Sequence, residues 1–456
     1  MFKIDNITSL IVKKLSGNTT LQKIIANTGW LFFERIFRMM VSLFVGVWVA
    51  RYLGPEQFGI LNYANAYVTL FTALATLGLD GIVVRNIVRA PDKTYQILGT
   101  AFILKLIGGI FSSLLMIIIV YLIRPEDTLT ITLVAVISIG MIFQSFSVID
   151  FLFQSRIESK NTVYARSIAF ILTSIIKVIL ILTNSSLIAF GLVSSLEILI
   201  GAIGLVIVYR LKGFLISKWK FSLNVAGNLL KDSWPLIFSG LAIMIYMKID
   251  QIMLGDMIGE EEVGIYSVAV KISEMWYFIP MAIVNSTFPT IVNAKRISDQ
   301  LFYDRLQKLY DIMAILGYFV AIPMTFLGTD VVKLLYGNEY LEAGSILTLY
   351  IWVGLFVNLG VARSSFLKTV NWTKIHFLTS ILGCMVNVIL NFILIPKYGA
   401  LGATIASIIS YWFQAHGACF LFPKMMETGK MLTKSLIAPV RFAKKIKLRI
   451  SKRYQI

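Results

Sequence analysis

Two cysteines and two histidines among 456 residues leave little basis for a disulfide framework or a metal centre. Cys384 and Cys419 both fall in apolar stretches, and His376 and His416 lie too far apart to form a ligand motif. Acidic residues are scarce as well, with 24 Asp and Glu against 42 Lys and Arg. The chain has no Gly-rich nucleotide loop, no paired catalytic acids, no nucleophile elbow and no zinc spacing. Long polar segments are missing too. The longest connection, near 210–232, shows no sign of a folded domain. These absences argue against an enzyme with a soluble catalytic module, and ATP-driven transport would need a separate subunit.

What is abundant is apolar sequence. Hydrophobic residues make up 57% of the chain and mean hydropathy is +0.80, the composition of a polytopic membrane protein. The expected fold is all-α, with about twelve spans near 28–50, 60–80, 97–123, 128–150, 163–183, 186–209, 233–254, 264–289, 308–328, 341–362, 374–395 and 399–422. The net charge of +18 could suggest nucleic acid, but its distribution argues otherwise. One side of the membrane collects most of the loop lysines and arginines, whereas the other holds only Arg51, Arg124, Lys333 and Lys397. The positive-inside rule then makes both termini cytoplasmic. The basic tail RFAKKIKLRISKRYQI reads as an anchor to anionic lipid headgroups. No nucleic-acid partner is expected.

The stretch Asn27–Thr76 carries the most information. Its first helix holds Glu34, Arg35 and Arg38 inside an apolar run, where an ionised side chain costs roughly 2.5–3.5 kcal/mol at the centre of a span. A Gly54-Pro55 turn follows, and the next helix lines up Asn62, Asn65, Thr69, Thr72 and Thr76 on one face. The segment Tyr52–Val68 also aligns without gaps to Met257–Ser273, matching Gly54 with Gly259, Glu56 with Glu261 and Gly59 with Gly264. This weak repeat predicts two lobes related by an axis along the membrane normal. The expected organisation is a basic segment at 1–27, an N-lobe at 28–209, a cytoplasmic linker at 210–232, a C-lobe at 233–422 and a basic tail at 423–456.

Several of these motifs resemble a known family. Arg51-Tyr-Leu-Gly-Pro-Glu-Gln-Phe-Gly, Asp250-Gln-Ile-Met-Leu-Gly, Leu335-Tyr-Gly-Asn-Glu-Tyr and Ile395-Pro-Lys-Tyr-Gly-Ala are similar to motifs of polysaccharide-biosynthesis membrane proteins, the Wzx-type flippases. The resemblance spans nearly the whole chain and implies a MATE-like, two-lobed, alternating-access transporter. It implies as substrate a polyprenyl-pyrophosphate-linked oligosaccharide, such as an O-antigen or other surface-polysaccharide unit. It also implies the bacterial cytoplasmic membrane as location, and membrane lipids, a polymerase and other assembly proteins as partners. A MATE-like drug or organic-cation antiporter and a membrane-embedded glycan polymerase or ligase are the competing readings.

Moving such a substrate needs a hydrated route for the sugar and cations for the phosphates. The candidate cations are Arg38, Arg35, Lys271 and Lys248, with Asn62, Asn65 and Thr69 as a wettable wall. Arginine's planar fork can bind phosphate oxygens bidentately, but Arg38 could equally pair with Glu34, four residues back on the same helix. Lys271 could likewise meet substrate or pair with Glu274. Lys105 and Lys177 read as packing or snorkelling residues. Glu197, Glu274 and Asp250, with Asp150, are intramembrane acids that could couple transport to H+ or Na+. Asn387 and Asn391 form a polar stripe suited to bonds between helices. No cofactor and no metal are expected.

Overall fold

A backbone in lipid has no water to bond, so it must satisfy itself within helices. The computed structural model describes residues 19–442 together with Lys444, and among these residues there is no strand. The expectations for 1–18, 443 and 445–456 lie outside the described residues. The described residues form fifteen α-helices: α1 (Thr19–Ala75), α2 (Asp80–Arg89), α3 (Thr94–Ile123), α4 (Thr128–Phe143), α5 (Val148–Ser155), α6 (Lys160–Leu182), α7 (Leu187–Leu211), α8 (Leu223–Met257), α9 (Glu260–Glu274), α10 (Phe278–Ile297), α11 (Asp299–Tyr336), α12 (Leu341–Tyr350), α13 (Val353–Thr369), α14 (Thr373–Ala415) and α15 (Met426–Leu436). Among the described residues, nine segments are long and apolar enough to cross a membrane, and a tenth arises if the pair bent by 43° around Ile351 is one span. Two of them contain breaks where adjacent spans are expected to meet. α1 loses helical geometry at Gly54 (φ 70°, ψ 172°) and α14 at Gly399 (φ 53°, ψ −134°). Positive φ is open to glycine at little cost, which is why these two positions can turn the chain.

The helices are built inside-out relative to a soluble bundle. On α3 the outward ridge is Ile107, Phe111, Leu114, Ile118 and Leu122, all exposed, while Gly108, Gly109, Ser112 and Ser113 are buried. Large apolar side chains face lipid, and small residues let backbones approach. Ser113 donates to the Ser138 carbonyl at 3.0 Å. A Cβ on Gly109 would stand 2.7 Å from the Met141 carbonyl oxygen.

The chain divides into two compact units. The first comprises 1–52 and 67–241, and the second comprises 53–66 and 242–456. In the first, Leu79, Val83, Leu98, Ile149, Leu152, Tyr209 and Leu229 form a buried core that joins α2, α3, α5, α7 and the start of α8. In the second, the core gathers Phe302, Tyr310 and Met313 of α11 with Leu359 and Phe366 of α13. Helix α15 is folded onto this unit: Tyr318 donates to the Leu436 carbonyl at 2.9 Å and Arg441 to Asp311 at 2.6 Å.

The second unit also holds the second copy of the repeat and residues 53–66 of the first. A Cβ on Gly59 would overlap the Glu260 carbonyl, and one on Gly264 would overlap the Pro55 carbonyl. Each glycine thus meets the residue four places before the other, and the two repeats cross at their matched glycines. One expectation is corrected here. The span expected at 341–362 runs further: α13 continues to Thr369, and Arg363 is fully buried. Its guanidinium donates to Thr379 Oγ1 at 3.2 Å and to Cys419 Sγ, bonds that tolerate the burial.

Candidate transport site

In the first unit, four helices bring charged side chains together. Arg38 of α1 donates from Nη1 to Glu197 Oε1 of α7 at 2.6 Å, although 159 residues separate them. Its Nη2 donates to the Arg166 carbonyl at 3.2 Å and reaches Glu34 only at 3.5 Å. Phe170 lies beneath the guanidinium, 4.5 Å from it. The local Glu34 pair therefore exists, but the short contact is the long-range one. Arg166 of α6 in turn donates to Asp150 of α5 at 2.5 Å, and Gln154 donates to the same carboxylate oxygen at 2.9 Å.

A cavity of about 220 Å³ adjoins this cluster, lined by Arg38, Gln144, Ser147, Arg166 and Glu197 together with apolar side chains. At about 30 Å³ per water, it has space for several waters or a small polar group. Side chains of Arg38 and Glu197 keep 34% and 24% exposure, so the pair is reachable. Lys105, deeply buried, donates to Ser147 at 2.7 Å and to Asp80 at 3.2 Å. Lys177 lies near enough to Glu197 and Arg38 to feel both charges. The packing reading of Lys105 fits this geometry. A phosphate entering the cavity would compete with Glu197 for the Arg38 fork.

The second unit holds a different arrangement. Asp250 of α8 is buried, and its carboxylate is met by neutral donors: Asn391 at 2.6 Å, Tyr266 at 2.8 Å and the Ser407 hydroxyl. Asn391 also donates to Asn387 Oδ1 at 3.2 Å, and Asn387 donates to Ser410 at 3.2 Å. The Asn391 carbonyl oxygen is buried with no hydrogen-bond partner. Two residues before Asp250, Lys248 pairs with Glu274 at 3.5 Å. Lys271 stands over the Phe58 ring at 4.2 Å from its centre.

The remaining predicted residues are placed as follows. Arg35 is exposed on α1. Asn62 donates to the Phe58 carbonyl at 2.6 Å and Asn65 to the Leu61 carbonyl at 2.7 Å, so both amides bond their own helix. Thr69 is half-buried in the first unit, whereas Asn62 and Asn65 belong to the second. The expected seam is therefore divided. Sequence reasoning missed Arg166, Tyr266 and Ser407, because helical periodicity gives a side chain's face but not the neighbour it meets.

The architecture is that of the MATE-type membrane transporters. An inward-facing multidrug resistance MATE family transporter of the MOP superfamily superposes with a TM-score of 0.72 at 16% identity, covering 87% of this chain and 96% of that one. The chain belongs to the polysaccharide biosynthesis protein family, whose profile matches residues 24–295, and a MatE profile matches 235–393. It is 26% identical to the protein named Probable flippase AglR of Haloferax volcanii, over 87% of this chain and 83% of that one. It is 22% identical to the capsular polysaccharide biosynthesis protein CapF of Staphylococcus aureus, over 85% of this chain and 96% of that one.

Proposed function

We propose that this multi-pass membrane protein is a flippase rather than an enzyme. It carries a polyprenyl-pyrophosphate-linked oligosaccharide from the cytoplasmic to the external leaflet by alternating access. The observation that carries the reading is the reachable Arg38–Glu197 pair on the wall of a polar cavity, in a chain of the polysaccharide biosynthesis family. Arg38 binds the pyrophosphate, and Glu197 occupies the same guanidinium when the phosphate leaves. Glycan and tail need no covalent chemistry, so catalysis in the chemical sense is absent from the cycle.

The coupling ion binds at Asp250. A carboxylate buried among neutral oxygens and amides, with one amide oxygen left unpaired, suits either H+ on the carboxylate or Na+ among the oxygens. Bacterial cytoplasmic membrane is the proposed location, with a polymerase as downstream partner. Deleting the gene and reading glycan with a probe confined to the external leaflet tests the proposal. Cytoplasmic-leaflet build-up reversed by the wild type but not by Arg38→Ala is expected. Normal glycan arrival in the deletion strain would remove flipping as the task.

A further inference from the structure

A cavity of about 700 Å³ lies in the first unit, apart from the Arg38 cluster. It sits where α3 begins, α7 has ended and α8 begins, so it lies at a face of the membrane rather than within it. One wall is the turn Pro91–Lys93 with the first residues of α3, and the other is the strap 216–222 between α7 and α8. The strap is pinned in place. The Lys220 amide donates to the Tyr95 carbonyl at 3.3 Å, the Ser222 amide to Thr100 Oγ1 at 3.1 Å, and Trp219 Nε1 to the Tyr209 hydroxyl at 2.9 Å. A Cβ on Gly99 would stand 2.7 Å from the Lys220 nitrogen, so the bare glycine lets the strap lie against α3.

This rigid frame presents cations from both sides. Lys93 comes from one wall and Lys218 and Lys220 from the other, and all three are exposed. Lys218 lies over the Tyr95 ring at 5.9 Å, and Asp92 is the one acid in the lining. Three cations around one space repel each other until an anion joins them. Gln96 and Ser217 add neutral donors beside them. Exposed apolar side chains flank the same connection, with Leu211 and Leu215 on one side and Phe221 and Leu223 on the other. Basic and apolar residues interleaved at the ends of spans fit the boundary between lipid headgroups and acyl chains, a depth that also suits the Tyr95 and Trp219 rings.

We propose that this cavity holds the headgroup of an anionic phospholipid from the surrounding leaflet, of the phosphatidylglycerol class. The lysines take the phosphate, as basic pockets between spans do, and Asp92 accepts from the glycerol hydroxyls. A zwitterionic headgroup brings its own cation and gains less from a lining of three lysines and one acid. Free phosphate lacks the acyl chains that the flanking leucines and Phe221 are placed to meet. The site stands independently of the flippase reading, and it holds the connection between α7 and α8 to the leaflet.

The test is photolabelling of the full-length protein in mixed micelles, with the labelled peptides identified by mass spectrometry. The probes are phosphatidylglycerol and phosphatidylethanolamine with the same chains, each carrying a diazirine next to the headgroup. Phosphatidylglycerol is expected to label 91–96 and 215–223 at least tenfold more than phosphatidylethanolamine does. Lys218→Gln alone should weaken that labelling about fivefold, the worth of one basic residue near an anionic surface. Lys93→Gln, Lys218→Gln and Lys220→Gln together should abolish the preference. A charge-matched set of exposed lysines outside the lining, Lys212→Gln, Lys231→Gln and Lys374→Gln, should keep it. Equal labelling of these stretches by both lipids would overturn the proposal, as would a preference that survives the lining triple variant or is lost equally in the control set. Displacement of the label by polyprenyl pyrophosphate at lower concentration than by unlabelled phosphatidylglycerol would assign the cavity to the transported lipid and overturn it too.

Discussion

Each unit carries an acid inside a membrane-spanning helix, and the two acids are handled in opposite ways. Glu197 sits beside a cavity, partly exposed, with an arginine at 2.6 Å. Asp250 is sealed among a tyrosine, a serine and an asparagine. An anionic ligand and a carboxylate beside a cation compete for the same partner, whereas a carboxylate surrounded by neutral groups offers its oxygens to a small cation. The first arrangement suits competition with an anionic substrate, and the second suits an ion switch. On the proposed reading, the partner of the acid separates the two roles.

Breaking the contrast from either side gives distinct outcomes. Arg38→Ala has the largest expected effect: loss of a charged, fork-shaped phosphate partner should slow glycan transport about a hundredfold. Arg38→Lys should fall between, since a point charge cannot reproduce the fork. Asp250→Asn should slow transport about tenfold and remove its dependence on an imposed ion gradient, which a flux assay with and without the gradient reads. Asp250→Ala should also cost about 2–4 kcal/mol of stability, seen as a lower Tm, because the Tyr266, Ser407 and Asn391 donors lose their acceptor in a buried site. Glu197→Gln frees the Arg38 fork and should tighten phosphate-lipid binding about threefold, the worth of a half-exposed ion pair. Lys248→Met sharpens the contrast from below. Its pair with Glu274 is long, at 3.5 Å, and transport should change by no more than about twofold.

Much of the architecture was legible in the sequence, and the reasons are local. Apolar runs give helices, and the matched glycines of the repeat mark the turns at Gly54 and Gly259, both at positive φ. The same alignment named Gly59 and Gly264, which cross in the structure. Arg38 stood out because an arginine inside an apolar run demands a reason. Glu197 stood out too, as an intramembrane acid and coupling candidate, but not as the partner of Arg38, because 159 residues separate them and spacing says nothing about such distances. The neutral shell of Asp250 was half visible: Asn387 and Asn391 formed a stripe, but Ser407 and Tyr266 look like ordinary span residues. Arg363 lies just past the expected end of its span at residue 362. A basic residue near a span's end reads as a loop residue, yet here packed helices and a threonine hydroxyl keep it inside.

The most direct test of flipping uses purified protein reconstituted into vesicles with a fluorescent polyprenyl-pyrophosphate glycan, read by a quencher confined to the outside. Wild-type vesicles should move the lipid between leaflets, and both empty vesicles and those carrying Arg38→Ala should not do so on the same timescale. Equal movement in wild-type and Arg38→Ala vesicles would contradict the phosphate role of Arg38, and no movement above empty vesicles under an imposed H+ or Na+ gradient would contradict the flippase itself.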